Sequence, residues 1–336
     1  MIARFVLFAA VAVAGISVPA LDPALPLYHS CPALTGQLTG SATDITTELA
    51  KNWQRDFAAL QPGISLDIDQ PTGPPQASLN PGLRAFIDGK RDFALVSRAL
   101  SDADVAAFVA VHGHPPARIA VAGGSWRSFG VLDPVVFVVN DANPLRFITQ
   151  RQIAALIGRE SVHPADWSGL GVSSWRGRPI HLIGGSAWRG AASARAQVVR
   201  ARILHGQQLR DNLDSGSEAE VPEAVAKDPL AIGFTGLGHV APGSHVLALS
   251  VNGGAAVAPT YANITQGRYP LARTVNLYVA DAPVSAPLRA WIAYLQSREG
   301  QRIVQATAPF LPLRKNKNYK WPISGSLQLS LPHCAQ

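Results

Sequence analysis

The chain has 336 residues, 47% of them hydrophobic and 15% charged, which excludes a disordered, low-hydrophobicity polymer. Two cysteines exclude a disulfide-dense scaffold and a cysteine-rich zinc module, and the length exceeds what one hydrophobic core serves, so two lobes are expected. Lys and Arg outnumber Asp and Glu by 29 to 22, a formal net charge of +7 that raises the on-rate of an anionic ligand.

Residues 1–20 read as a secretory signal rather than as structure. Arg4 is their one charged side chain, Phe5 to Val13 form an apolar run, and Val18-Pro19-Ala20 leaves small residues before a cleavage point at Leu21. The run is shorter than the roughly 20 residues a spanning helix needs; an uncleaved anchor is the alternative. Export to the periplasm is therefore expected. In an oxidising compartment Cys31 and Cys334, near the two ends of the mature chain, could form one disulfide; two free thiols are the other reading.

Strands and helices then alternate. Ile45, Leu49, Trp53, Phe57 and Leu60 recur at helical spacing over 44–60, behind the capping group Ser41-Ala42-Thr43-Asp44. Ile64–Ile68 alternates like a strand, and a short helix is expected around Gly82–Asp88. Phe93–Val96 reads as a buried strand and 101–111 as a helix. Val135–Val139 is apolar throughout, as a strand covered on both faces should be. A helix is expected over Thr149–Ile157, a Trp-, Ser- and Gly-rich loop over 163–177, and a strand over Ile180–Ile183 that ends at Gly184-Gly185-Ser186. A basic helix over 190–205, strands at Ala231–Phe234 and Val275–Val279, and one terminal helix from Ala286 to about Val304 complete the order. Such alternation predicts an α/β architecture with mostly parallel sheets.

The order of motifs resembles the phosphate-binding proteins of bacterial phosphate ABC transporters. The match runs from Leu38-Thr39-Gly40-Ser41-Ala42-Thr43, through Asp88-Gly89-Lys90-Arg91-Asp92-Phe93-Ala94-Leu95-Val96-Ser97-Arg98 and Asp133–Asn140, to Asp228–Phe234. It closes on Glu299-Gly300-Gln301 and Pro309-Phe310-Leu311-Pro312-Leu313. The resemblance implies a two-lobed type II periplasmic-binding-protein fold, with a hinge and an inter-lobe cleft. Lobe one would comprise 35–132 plus about 260–325, and lobe two 133–259.

The same resemblance implies phosphate or a related oxyanion as ligand, a membrane ABC transporter permease as partner, and a monomer. Cofactor, metal, nucleic acid and catalytic residues are not expected. A Gly-, Ser- and Thr-rich loop at a helix start offers N–H groups to an anion, so Ser41 and Thr43 are candidate contacts, with ordinary helix capping the competing reading. Ser97 and Arg98 follow the buried strand. In lobe two the family's Ser-Gly-Thr is replaced by Arg189-Gly190-Ala191, which makes Ser186, Arg189 and Gly190 the candidates there. Arg189 could grip an oxyanion in bidentate fashion or stand in solvent at a helix start. The altered segment also supports an alternative: a family-derived extracytoplasmic interaction protein whose anion site has decayed.

No hydrolase elbow, zincin helix or P-loop occurs. His112-Gly113-His114 reads as a surface loop in preference to a metal site. The arginines crowding 190–210 and the run 314–321 read as solvated faces.

Overall fold

The computed structural model describes residues 20–42, 44–69, 81–128, 131–185, 194–210, 214–216, 220–280 and 284–315. Residues 1–19, most of the segment expected to be a secretory signal, lie outside them. In chain order the first elements are β1 (Gly36–Ala42), α1 (Thr47–Leu60), β2 (Ile64–Asp69), α2 (Pro81–Ile87), β3 (Phe93–Val96), α3 (Asp102–His112) and β4 (Ala117–Gly123). Next come β5 (Val135–Asn140), β6 (Phe147–Thr149), α4 (Gln150–Ile157), β7 (His181–Gly185), α5 (Ala194–Arg202), β8 (Asp214–Gly216), α6 (Glu220–Lys227) and β9 (Ala231–Gly236). The last are β10 (Ser244–Val246), β11 (Ala248–Ser250), α7 (Tyr261–Thr265), β12 (Thr274–Val279), α8 (Ala286–Gln296) and α9 (Arg298–Ala306).

Two five-stranded sheets result among the described residues, ordered β2-β1-β3-β12-β4 and β10-β5-β9-β7-β8. In the first, β2, β1 and β3 run parallel, and β12 pairs antiparallel with both β3 and β4. The second repeats the pattern: β8, β7 and β9 are parallel, and β5 pairs antiparallel with β9 and β10. Within these two sheets half of the pairings are thus antiparallel, which corrects the expectation of mostly parallel sheets; β6 and β11 form a separate two-stranded parallel sheet. In the first sheet the antiparallel strand is β12, which returns after the second sheet is complete; in the second it is β5, the strand by which the chain enters that sheet.

Each sheet has its own core. Around the first, Trp53 and Phe57 of α1 meet Trp291 and Tyr294 of α8, with Phe57 edge-on to Trp291 at 5.0 Å. Around the second, Phe137, Trp167, Phe234 and Tyr269 are fully buried. Burial of all six residues of β5 matches its unbroken apolar sequence.

Several elements depart from the sequence reading. Residues 40–42, read as part of a loop at a helix start, are the end of β1. Gly40 is needed there because a Cβ would lie 2.2 Å from the Phe93 ring. The terminal helix is two helices broken at Ser297, and the 163–177 loop contains short helical turns at Trp167–Leu170 and Ser173–Trp175.

The chain crosses between the sheets twice, side by side. Gly124 N–H donates to Arg273 O at 2.9 Å, and Val135 N–H to Leu271 O at 3.2 Å. The two ends of the described chain also meet: Arg314 Nη2 donates to Ala20 O at 3.1 Å, and Lys315 N–H to Asp22 Oδ2 at 2.8 Å. Cys31 is disulfide-bonded, and Cys334, the second cysteine of the chain, lies outside the described residues.

Candidate ligand-binding cleft

In an open α/β sheet, ligands collect beyond the carboxyl ends of parallel strands. Ser97 and Arg98 stand directly after β3, and they line a cavity of about 350 Å³ between the two sheets. From the first sheet's side it is bounded also by Arg118 on β4 and by Arg273, Thr274 and Asn276 at the start of β12. From the other side come Val198, Ala201 and Arg202 of α5, with Val251 and Pro270. Four of these residues are arginines and none is a carboxylate. A guanidinium does not lose its charge in a protein, so the cavity stays cationic at any working pH.

The arginines are held by their own second contacts. Arg98 Nη1 donates to Asp104 Oδ2 at 2.7 Å and to Ala99 O at 3.0 Å. Asp104 completes the capping box of α3, accepting from Ser101 N–H at 2.9 Å while its own N–H donates to Ser101 Oγ at 3.1 Å. Burial acts to raise the Asp104 carboxyl, but the hydrogen bonds from Ser101 and Arg98, with the Arg98 charge, hold it below the usual carboxylate value. Arg118 faces Tyr278 across the ladder and donates to its hydroxyl, which also accepts from Leu100 N–H at 3.1 Å. Burial raises the Tyr278 hydroxyl, and Arg118 works against that rise. Arg202 Nη1 donates to Pro270 O at 2.8 Å and to Ala272 O at 2.7 Å, tying α5 to the returning crossover. Asn276 and Thr274 bond each other, Thr274 Oγ1 donating to Asn276 Oδ1 at 3.0 Å.

Of the residues singled out in the sequence, Ser97 and Arg98 reach this cavity. Ser41 does not line it: it is a buried residue of β1, in register with Asp69 on β2 and Ala94 on β3. Its backbone is committed to the sheet, so residues 40–42 of the expected helix-start loop are strand instead. Thr43, Ser186, Arg189 and Gly190 lie outside the described residues. The arginines of 194–210 are not a solvated face. Arg195 pairs with buried Asp133 at 2.6 Å, Arg200 with Asp102 of α3 at 3.1 Å, and Arg210 Nη1 donates to Leu156 O at 3.3 Å. Isolated arginines at 118 and 273 carry no motif, so only the fold brings them together.

His112, at the end of α3 rather than in a loop, stacks on Phe108 at 3.9 Å and contacts Ile87 O through Nε2 at 3.1 Å. No cluster of metal-ligating side chains occurs among the described residues.

Two α/β halves with duplicate strand order, a paired crossover and a cationic cavity between them define a bilobal solute-binding architecture, the type II periplasmic-binding-protein fold. The chain belongs to the PBP superfamily: the family model described as a PBP superfamily domain matches residues 30–299. It is 26% identical over 305 residues to the phosphate-binding protein PstS of Pseudomonas aeruginosa, covering 87% of this chain and 88% of that one. Among solved structures it resembles PstS from Borrelia burgdorferi, with TM-score 0.54, 17% identity, and 83% and 99% of the two chains covered. An ABC-type phosphate transport receptor from Vibrio cholerae gives TM-score 0.51 at 16% identity, with 83% and 100% covered.

Proposed function

We propose that this chain is an exported receptor that captures phosphate or a similar oxyanion between its lobes and delivers it to a membrane ABC transporter. The observation that carries the reading is the cationic cavity at the end of β3, lined by four arginines and by no carboxylate. Guanidinium groups match oxyanions with paired, charge-assisted hydrogen bonds. The kinship with PstS supports the ligand class, and a solute-binding family asks for no catalytic group. Export rests on the apolar leader before Leu21. No helix among the described residues is long and apolar enough to cross a membrane.

In this reading lobe two reaches further than the sequence placed it. Ile264, Tyr269 and Leu271 pack in the core of the second sheet, and Tyr269 Oη donates to Val135 O at 2.9 Å, so the return to lobe one falls near residue 272.

Calorimetric titration of the mature protein, stripped of carried-over ligand, with phosphate and then sulfate tests the function. Saturable phosphate binding accompanied by a rise in melting temperature is expected. Absence of heat and of thermal stabilisation with both anions would overturn it.

A further inference from the structure

Arg98 and Arg118 reach the cavity from different strands of the first sheet, and one side chain beside them bonds to both segments. Thr274, Asn276 and Tyr278 alternate along β12 and so share one face of that sheet. The first two line the cavity. Tyr278 stands one step behind it, with its ring buried among Phe86, Leu100 and Phe108. Its hydroxyl oxygen accepts from Leu100 N–H at 3.1 Å, in the loop that carries Ser97 and Arg98. The same oxygen accepts from Arg118, its cross-strand partner on β4, and the Arg98 charge also acts on it.

A phenol at this point differs from a carboxylate. Asp104 orients Arg98 but also pairs with its charge at 2.7 Å. Burial pushes the Tyr278 hydroxyl above the usual phenol value, so it stays protonated and neutral. It therefore orients Arg118 without neutralising it. Removing the oxygen takes an acceptor from a buried N–H and from a guanidinium at once, and binding groups lose their geometry when the bonds behind them are lost.

We infer that Tyr278 is a positioning residue of the anion site, its hydroxyl oxygen fixing the loop after β3 and the Arg118 guanidinium relative to each other. This rests on the oxyanion-capture reading and adds to that site a residue that does not line the cavity.

The test is calorimetric titration of the full mature protein with orthophosphate, in the wild type and in four variants. Tyr278→Phe keeps the ring in its apolar surroundings and is expected to weaken phosphate binding at least fivefold. Tyr294→Phe is the control: its hydroxyl donates to Asp56 Oδ2 at 2.7 Å in the core of the same sheet, and its loss should change affinity less than twofold. Arg118→Gln should weaken binding at least as much as Tyr278→Phe, and adding Tyr278→Phe to it should cost less than a further twofold, because the two act as one unit. Binding too weak for calorimetry is read from the rise in melting temperature at millimolar phosphate. If Arg118→Gln abolishes binding altogether, the contrast between the two tyrosine variants decides. A loss below twofold in Tyr278→Phe, an equal loss in Tyr294→Phe, or a full further loss in the double variant would each overturn this inference and leave the capture reading standing. No phosphate binding by the wild type would overturn both.

Discussion

Asp133 has no exposed side-chain surface, and both its oxygens are occupied: Oδ1 accepts from Arg195 Nη2 at 2.6 Å and Oδ2 from Gly238 N–H at 3.0 Å. The approach is so close that a Cβ on Gly236 would sit 2.2 Å from Oδ2. A buried carboxylate like this anchors α5 to the crossover that leads into β5, at the root of the cleft. Removing one partner of a buried ion pair costs more than the pair contributes, because the other charge stays behind without compensation. Asp133→Asn is therefore expected to destabilise the protein by about 3–5 kcal/mol, read as a lower urea midpoint with unchanged slope. A loss under about 1 kcal/mol would mean that Arg195 finds another carboxylate. None of this was legible in the chain, because Asp133 and Arg195 stand 62 positions apart and the arginine lies in a run that reads as solvated. Ser97 and Arg98 were legible for the opposite reason: they follow directly on a buried strand, where the fold places ligands.

At the scale of elements, the break between α8 and α9 shows how two weak signals combine. Ser297 ends the first helix by donating from Oγ to Tyr294 O at 2.7 Å and starts the second by accepting from Gly300 N–H at 3.2 Å. Gly300 then packs so tightly that a Cβ there would lie 2.2 Å from Tyr294 O. Its carbonyl accepts from Trp53 Nε1 at 2.8 Å, coupling the turn to the core of the first sheet. Helix propensity favours Ala over Gly by about 1 kcal/mol, but the crowding is against backbone, which cannot swing aside, and overpacking costs about 1–3 kcal/mol. Gly300→Ala is expected to lower the melting temperature despite its better propensity; an increase would show that α9 slides along α8 at little cost. Periodicity found both helices because their apolar faces are strong. It ran them together because a Ser cap inside a helical pattern looks like any exposed polar residue. Composition misled at β1, where Gly, Ser and Thr read as a loop although Gly40 is there to pass over Phe93. The Ala-rich β4, with low strand propensity, gave too little signal to be read as a strand.

For the whole molecule, the question is what holds the lobes together around the cavity. Besides the paired crossover, α5 of one half reaches α3 of the other through Arg200 Nη2 and Asp102 Oδ2, 3.1 Å apart. The Asp102 side chain is 86% exposed, so the bridge is screened by solvent and contributes at most about 1 kcal/mol, or about fivefold in affinity, if it forms only when the lobes close. Breaking it is not the sole effect of a substitution, because each partner also contributes to the field that draws an anion in. Asp102→Asn makes the α3–α5 junction more positive and Arg200→Gln makes it less so. If the field dominated, the first variant would bind the captured anion more tightly and the second more weakly. If the bridge dominates, both weaken binding by a similar factor through faster release, and the double variant is no weaker than either single one. The direct contact favours the second pattern, since the Asp102 carboxylate is 86% exposed and its charge is attenuated over about 8 Å at physiological ionic strength. Anion affinities and release rates of the two single variants and the double variant, at low and high salt, should therefore show equal losses that shrink as salt is added. Opposite shifts in the two single variants would instead assign Arg200 and Asp102 to steering and leave closure to the crossover alone.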